Sequence, residues 1–241
     1  MTRVGIITQA RMASARLPGK VMLPAAGKRM LEHHLTRLAW AKVPVYVATT
    51  TSDADDIVAE VAAASGVDCF RGSETDVLGR YAEAARAFSL DVVVRVTSDC
   101  PLVDGNLVGR GIDLFCELGD PCAFVSNVVE RTYPRGFDFE VFSAVRLLEA
   151  DRRATARSDR EHVTPFLHRS SETLQHSVLR STDASRFRVT LDTEPDLEVI
   201  RSLIEIFGAA ELTAEEIISL LEAHPEVASI NSHVEQKKLG D

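Results

Sequence analysis

At 241 residues and 45% hydrophobic content, the chain can bury a full core, as one large domain or a domain with a small appendage. Its formal charge of −9 excludes a general nucleic-acid binder, which would spread a basic stripe over one face. No run nears the roughly 18 apolar residues of a membrane helix, and the first apolar stretch is too short for a signal peptide, so a cytoplasmic protein with no membrane partner is expected.

The first half alternates strand and helix patterns. Strand-like runs stand at 4–7, 45–48, 68–70 and 92–96, each followed by helical periodicity; Leu31, Leu35, Leu38 and Ala39 share one helical face, as do Ile57, Val58, Val61 and Ala62. The run at 92–96 is almost all valine, as in a strand covered on both faces. This alternation predicts an α/β fold of three layers, with a mostly parallel, mixed sheet between helices.

Directly after the first strand come Arg11, Arg16 and Lys20, with Pro18-Gly19 just before the lysine. The loop leaving the carboxyl end of a parallel strand is where such sheets bind ligands. Arginine forks and a lysine ammonium can together grip several phosphate oxygens. The GxxxxGK[ST] pattern of a P-loop is absent. A solvated basic turn explains Pro18-Gly19 but not the three spaced cations beside Ser14, and a triphosphate cradle is the expectation. Further on, Arg71 and Gly72 follow another strand at the expected binding edge, while Ser73 and Asp76 have the look of a helix cap.

Asp99 follows the valine-rich strand, and Pro101 stops that strand. A carboxylate there, facing a phosphate loop, is placed to hold Mg²⁺ against a triphosphate, although Asp-Cys-Pro is also a common turn. Asp104 reads as the N-cap of the next helix. Four cysteines, Cys69, Cys100, Cys116 and Cys122, lack CxxC or zinc-ligand spacing and are expected as small buried hydrophobes in a reducing compartment.

After Cys122 the pattern changes. Residues 127–142 hold a turn-rich insert, followed by helical stretches at 143–154 and 160–170, strand-like runs at 173–179 and 186–191, and closing helices at 196–207 and 214–223. In the second helical stretch Ser158 and Glu161 fit a capping box, which leaves Arg160 and His162 for a substrate carboxylate or hydroxyl. The run at 186–191 ends on Asp192; Thr193 and Asp196 fit a cap, and Asp192 could share one metal with Asp99. The economical organisation is a single domain over 1–241 with a small inserted lobe around 127–170, and a polar tail from 232 to 241.

Taken together, ARMASARLPGK (10–20), SDCPLVD (98–104), YPRGFDFEVF (133–142), REHVTPF (160–166) and TLDTEPDL (190–197) resemble, in order, the motifs of the cytidylyltransferases that activate sugar acids. The likeness is to the spore-coat-polysaccharide branch, related to the CMP-ketodeoxyoctonate and acylneuraminate synthetases. Ala13 and Ala15 depart from the Gly and Thr expected in many relatives. The resemblance implies a GT-A-like nucleotidyltransferase fold and transfer of CMP from CTP to an acidic sugar with release of pyrophosphate. It implies Mg²⁺ on Asp99 and Asp192, the triphosphate on Arg11, Arg16 and Lys20, and catalytic roles for Arg11, Lys20 and Asp99. It places cytosine near Arg71, Gly72 and Ser73, and puts Arg135, Asp138, Glu140, Arg160 and His162 toward the acceptor or a homodimer partner. The other readings are a non-sugar acceptor such as a phosphonate or phosphorylated amino acid, a metal-dependent glycosyltransferase, and a non-catalytic nucleotide sensor.

Overall fold

The computed structural model describes residues 2–235. In chain order the elements are β1 (Val4–Gln9), β2 (Pro24–Ala25), β3 (Lys28–Arg29), α1 (Met30–Leu38), β4 (Val45–Thr50), α2 (Asp56–Ala64), β5 (Asp68–Gly72), α3 (Val77–Ala87), β6 (Val92–Thr97) and α4 (Gly105–Leu118). Then follow β7 (Ala123–Ser126), β8 (Glu140–Ser143), α5 (Ala144–Arg153), α6 (Arg157–His162), α7 (Pro165–Arg169), β9 (Leu174–Ser177), α8 (Glu194–Glu205), α9 (Ala214–Ala223) and α10 (Pro225–Ser229). A seven-stranded sheet runs β5-β4-β1-β6-β8-β7-β9, while β2 and β3 form a separate hairpin. Neighbours in the sheet are parallel except where β8 pairs with β6 and with β7.

The alternating side chains of each strand feed two different cores, which makes the fold three-layered. Ile6, Val94, Val125 and Val141 pack with α4, α8 and α9; Ile7, Val93, Phe124 and Phe142 pack with α3 and α5. The valine-rich β6 is thus buried on both faces, as its composition requires. Because β8 is antiparallel to β6, its first residue Glu140 lies opposite Arg95, and both stand close to the carboxyl edge where β1 and β6 end. From the supposed insert, only 127–139 is irregular; at Glu140 the chain re-enters the sheet. No helix among the described residues is long and apolar enough to cross a membrane.

Several local expectations hold. Asp104 caps α4 by accepting from the backbone of Asn106 and Leu107, and Asp76 caps α3 through Gly79. Thr193 and Asp196 form a reciprocal capping box on α8.

Others are corrected. The run at 186–191 is extended but is not a strand: a single bridge joins Arg188 to Arg135, and Leu191 donates to the Asp99 carbonyl instead of to a ladder. The stretch 160–170 is two short helices, because Val163 takes φ +72° and Pro165 restarts the chain at the first turn of α7. Ser158 and Glu161 form no capping box, since α6 begins after Ala156 and both lie inside it. Cys100 is buried, but Cys116 is exposed on α4, and Ala39 is exposed where α1 tightens into a 3₁₀ turn.

Candidate functional site

The basic loop is built by a few backbone bonds. Met12 donates to Asp55 Oδ1 at 2.6 Å, and Gly19 closes the loop by donating to the Met12 carbonyl at 3.0 Å. Gly19 adopts φ +66°, a conformation that favours glycine, and from it a 3₁₀ turn starts on Lys20. That turn aims Lys20 back across the sheet edge.

There it meets both strand-end aspartates. Lys20 Nζ lies 2.9 Å from Asp99 Oδ2 and 2.7 Å from Asp192 Oδ1. Arg16 and Arg188 each reach Asp192 Oδ2 at 2.9 Å. Asp99 Oδ1 also accepts from Thr97 Oγ1 at 2.6 Å. Burial works against all these charges, yet the carboxylates hold the Lys20 ammonium above its ordinary pKa. Lys20 and Thr97 in turn hold Asp99 below the ordinary carboxylate range.

The two aspartates are placed by different means. Asp99 sits in a turn fixed from below by His34, whose Nδ1 donates to the Cys100 carbonyl at 2.8 Å while Nε2 accepts from Thr8 Oγ1 at 2.8 Å. Burial pushes the pKa of His34 down to about 4, and the neutral ring joins α1, β1 and the Asp99 turn. Asp192 rides on the extended segment, with Arg188 shared between it and the buried Asp196. That segment docks against Gly136, where φ is +109° and an added Cβ would lie 2.5 Å from the Val189 carbonyl carbon.

Arg11 has no hydrogen-bond or ion-pair partner among the described residues, and it faces Arg80 electrostatically. Arg80 is 1% exposed; Nη1 donates to the Ser73 carbonyl at 2.6 Å, while Nε and Nη2 find no partner among the described residues. Burial, reinforced by Arg11, lowers its pKa. Asp55 and Asp76 act on Arg80 from nearby and oppose that lowering, but neither pairs with it directly. Sequence reasoning missed Arg80, although a charge between Leu78 and Tyr81 on the apolar face of α3 was a readable signal. It also missed Arg188, His34 and Arg131.

The remaining expected residues divide. Arg71 is engaged with the Thr50 and Ser52 carbonyls and with Asp56, and Ser73 Oγ accepts from the backbone of Asp76. Gly72 lies against Phe70 and Arg80. Asp138 is gripped by Arg131 through two bonds of 2.6 and 2.9 Å. The Arg135 side chain has no such partner among the described residues, and burial together with Arg131 lowers its pKa. Glu140 is enclosed by Arg95, Thr164 and His168, and Arg160 is spent on Asp76 and Asp151, where it staples α3 and α5 to α6. Neither therefore faces an open site in this state. The His162 side chain is half-buried and unpaired among the described residues.

Among the described residues no group of three or more acidic, histidine or cysteine side chains could enclose a metal. The donor set is instead a pair of carboxylates already sharing one cation, the Lys20 ammonium. That suits Mg²⁺, which takes one or two carboxylates and completes its shell with water and phosphate oxygens.

A family model described as cytidylyltransferase matches residues 5–224. The chain is 31% identical to the spore coat polysaccharide biosynthesis protein SpsF of Bacillus subtilis, across 95% of this chain and 98% of that protein. It superposes on a solved cytidylyltransferase from Leptospira borgpetersenii with a TM-score of 0.91 and 33% identity, covering 99% of this chain and 100% of that one. It is also 32% identical to the 3-deoxy-manno-octulosonate cytidylyltransferase of Trichlorobacter lovleyi over 117 residues, 48% of this chain and 45% of that enzyme.

Proposed function

The chain belongs to the cytidylyltransferase family, and we propose that its reaction is transfer of CMP from CTP to a hydroxyl of an acidic sugar, with release of pyrophosphate. The observation that carries this reading is the meeting of Arg16 and Lys20 with Asp99 and Asp192 at one edge of the sheet. The partial likeness to a 3-deoxy-manno-octulosonate enzyme supports an acidic sugar, and the spore-coat relative supports a role in polysaccharide synthesis.

Nucleotidyl transfer needs little covalent help from protein; positioning and neutralisation of charge dominate. Arg11, Arg16 and Lys20 bind the triphosphate and stabilise the departing pyrophosphate. Asp99 and Asp192 hold Mg²⁺, which when bound neutralises phosphate charge and orients the α-phosphate. Residues 71–73 lie beside the nucleobase. Arg135, with no ion-pair partner among the described residues, takes the acceptor's acidic group beside Asp138, and His162 is a further candidate for the acceptor side. His34 fixes the turn that presents Asp99.

The test is a pyrophosphate-release screen of CTP, UTP, ATP and GTP against a panel of 2-keto-3-deoxy sugar acids, phosphonates and phosphorylated amino acids. Release with CTP and a sugar acid is expected. Release only with a phosphonate or phosphorylated amino acid moves the acceptor to that class, and release with another nucleotide alone sinks the reading.

A further inference from the structure

The position of Lys20 has a consequence for how the site fills. Its ammonium holds Asp99 Oδ2 and Asp192 Oδ1, the facing oxygens of the two carboxylates. The outer oxygens are already engaged, Asp99 Oδ1 by Thr97 and Asp192 Oδ2 by Arg16 and Arg188. A divalent ion that takes the two facing oxygens takes the place of the Lys20 ammonium, and it repels that ammonium as well. The two cations exclude each other.

We infer that Lys20 is the resident counter-ion of the Asp99–Asp192 pair and couples metal binding to triphosphate binding. This rests on the proposed metal and triphosphate sites and adds the rule by which they fill. A divalent ion on those oxygens displaces Lys20, and the displaced ammonium has the guanidinium groups of Arg16 and Arg188, both held on Asp192, as its neighbours. Its side chain is 13% exposed, so water alone compensates it poorly. Phosphate oxygens supply the missing partner. Lysine suits the exchange, being a compact charge on a flexible stem that can swing from carboxylate to phosphate. The protein therefore takes the metal weakly by itself and readily together with the triphosphate, and by linkage the metal strengthens triphosphate binding by the same factor.

Mn²⁺ alone is the probe, its free fraction read by electron paramagnetic resonance on the nucleotide-free protein, with thermal melting to confirm folding. Lys20→Met is expected to bind Mn²⁺ tighter than wild type on the order of tenfold, toward the lower end of the range for coupled sites. Lys20→Arg, which keeps a cation, is expected to stay as weak as wild type. If Lys20→Met does not fold, Lys20→Gln carries the same expectation, because it removes the charge and retains a hydrogen-bond donor. Unchanged or weaker Mn²⁺ binding in the uncharged variants overturns the coupling, as does an equal gain in Lys20→Arg. Asp99→Asn and Asp192→Asn separate the two levels of argument. If they weaken Mn²⁺ binding while Lys20→Met does not tighten it, the metal pair stands and only the coupling falls. If they leave it unchanged, the metal reading falls and the coupling with it.

Discussion

Two charged clusters flank the carboxyl end of β6, and they are built to opposite ends. In one, Glu140 accepts from Arg95 at 2.6 Å, from Thr164 at 3.0 Å and from His168 at 3.1 Å, all within the fold. Burial opposes its charge, but Arg95 prevails and holds Glu140 down to about 2. In the other, Lys20, Arg16 and Arg188 crowd Asp99 and Asp192. The first cluster is closed and locks β8 to the α6–α7 corner. The second sets Lys20 and Arg16, both on the loop after β1, against aspartates from two other segments at the sheet edge, the setting in which the proposed triphosphate would meet them. Similar side chains thus stand in two settings, one enclosed between packed elements and the other built on a loop at the sheet edge, where the proposed reading puts the nucleotide.

The comparison breaks most sharply at Asp99. Asp99→Asn is expected to lower CTP-dependent pyrophosphate release by about 10³-fold or more while leaving the melting temperature near that of the parent; turnover near normal would remove Asp99 from the chemistry. Glu140→Gln should do the reverse. It leaves Arg95 buried without its counter-charge and should cost about 3 kcal/mol of stability in chemical denaturation, with activity per folded molecule retained.

A third experiment uses pH. His34 has a folded pKa near 4, below its ordinary 6.5, so the unfolded chain binds the proton first and stability falls as pH drops from 6.5 toward 4. At pH 5 this amounts to about 2 kcal/mol. Denaturation curves of His34→Gln should lack that part of the slope, and an unchanged slope would falsify the neutral-ring assignment. The smallest effect is expected at Arg135: Arg135→Met should raise the KM for the acceptor about tenfold, with the KM for CTP unchanged, the cost of one charge-assisted contact. A matched rise for CTP would move Arg135 to the nucleotide side.

Much of this was legible in the chain because it is local. Strand ends, the Asp104 and Asp76 caps, the Thr193–Asp196 box and the basic loop all rest on residues within a few positions of one another. What escaped is non-local. Lys20 finds Asp99 across 79 positions and Asp192 across 172, and nothing in spacing forecasts that one ammonium bridges both. The run at 186–191 has a strand's alternation, but its hydrogen bonds go to Arg135 and to the Asp99 turn, so it never joins a ladder. Ser158 and Glu161 fit a box by type, yet the turn at Ala156 starts α6 two residues earlier. Glu140 and Arg160 look like acceptor residues in a motif and prove to be internal clamps, because their partners come from elements far along the chain.

The segment carrying Asp192 also sets when the protein becomes competent during its synthesis. It is anchored late, to Arg135 through a single bridge and to Asp196 through Arg188. A nascent chain that has released β1 through β8 already holds Lys20 and Asp99, but the edge strand β9 and the second carboxylate are still to come. Until α8 has emerged and docked, the edge of the sheet presents one aspartate to its cations and lacks the second carboxylate of the proposed metal pair. On the proposed reading, the second carboxylate of the metal pair is therefore among the last parts of the site to be made.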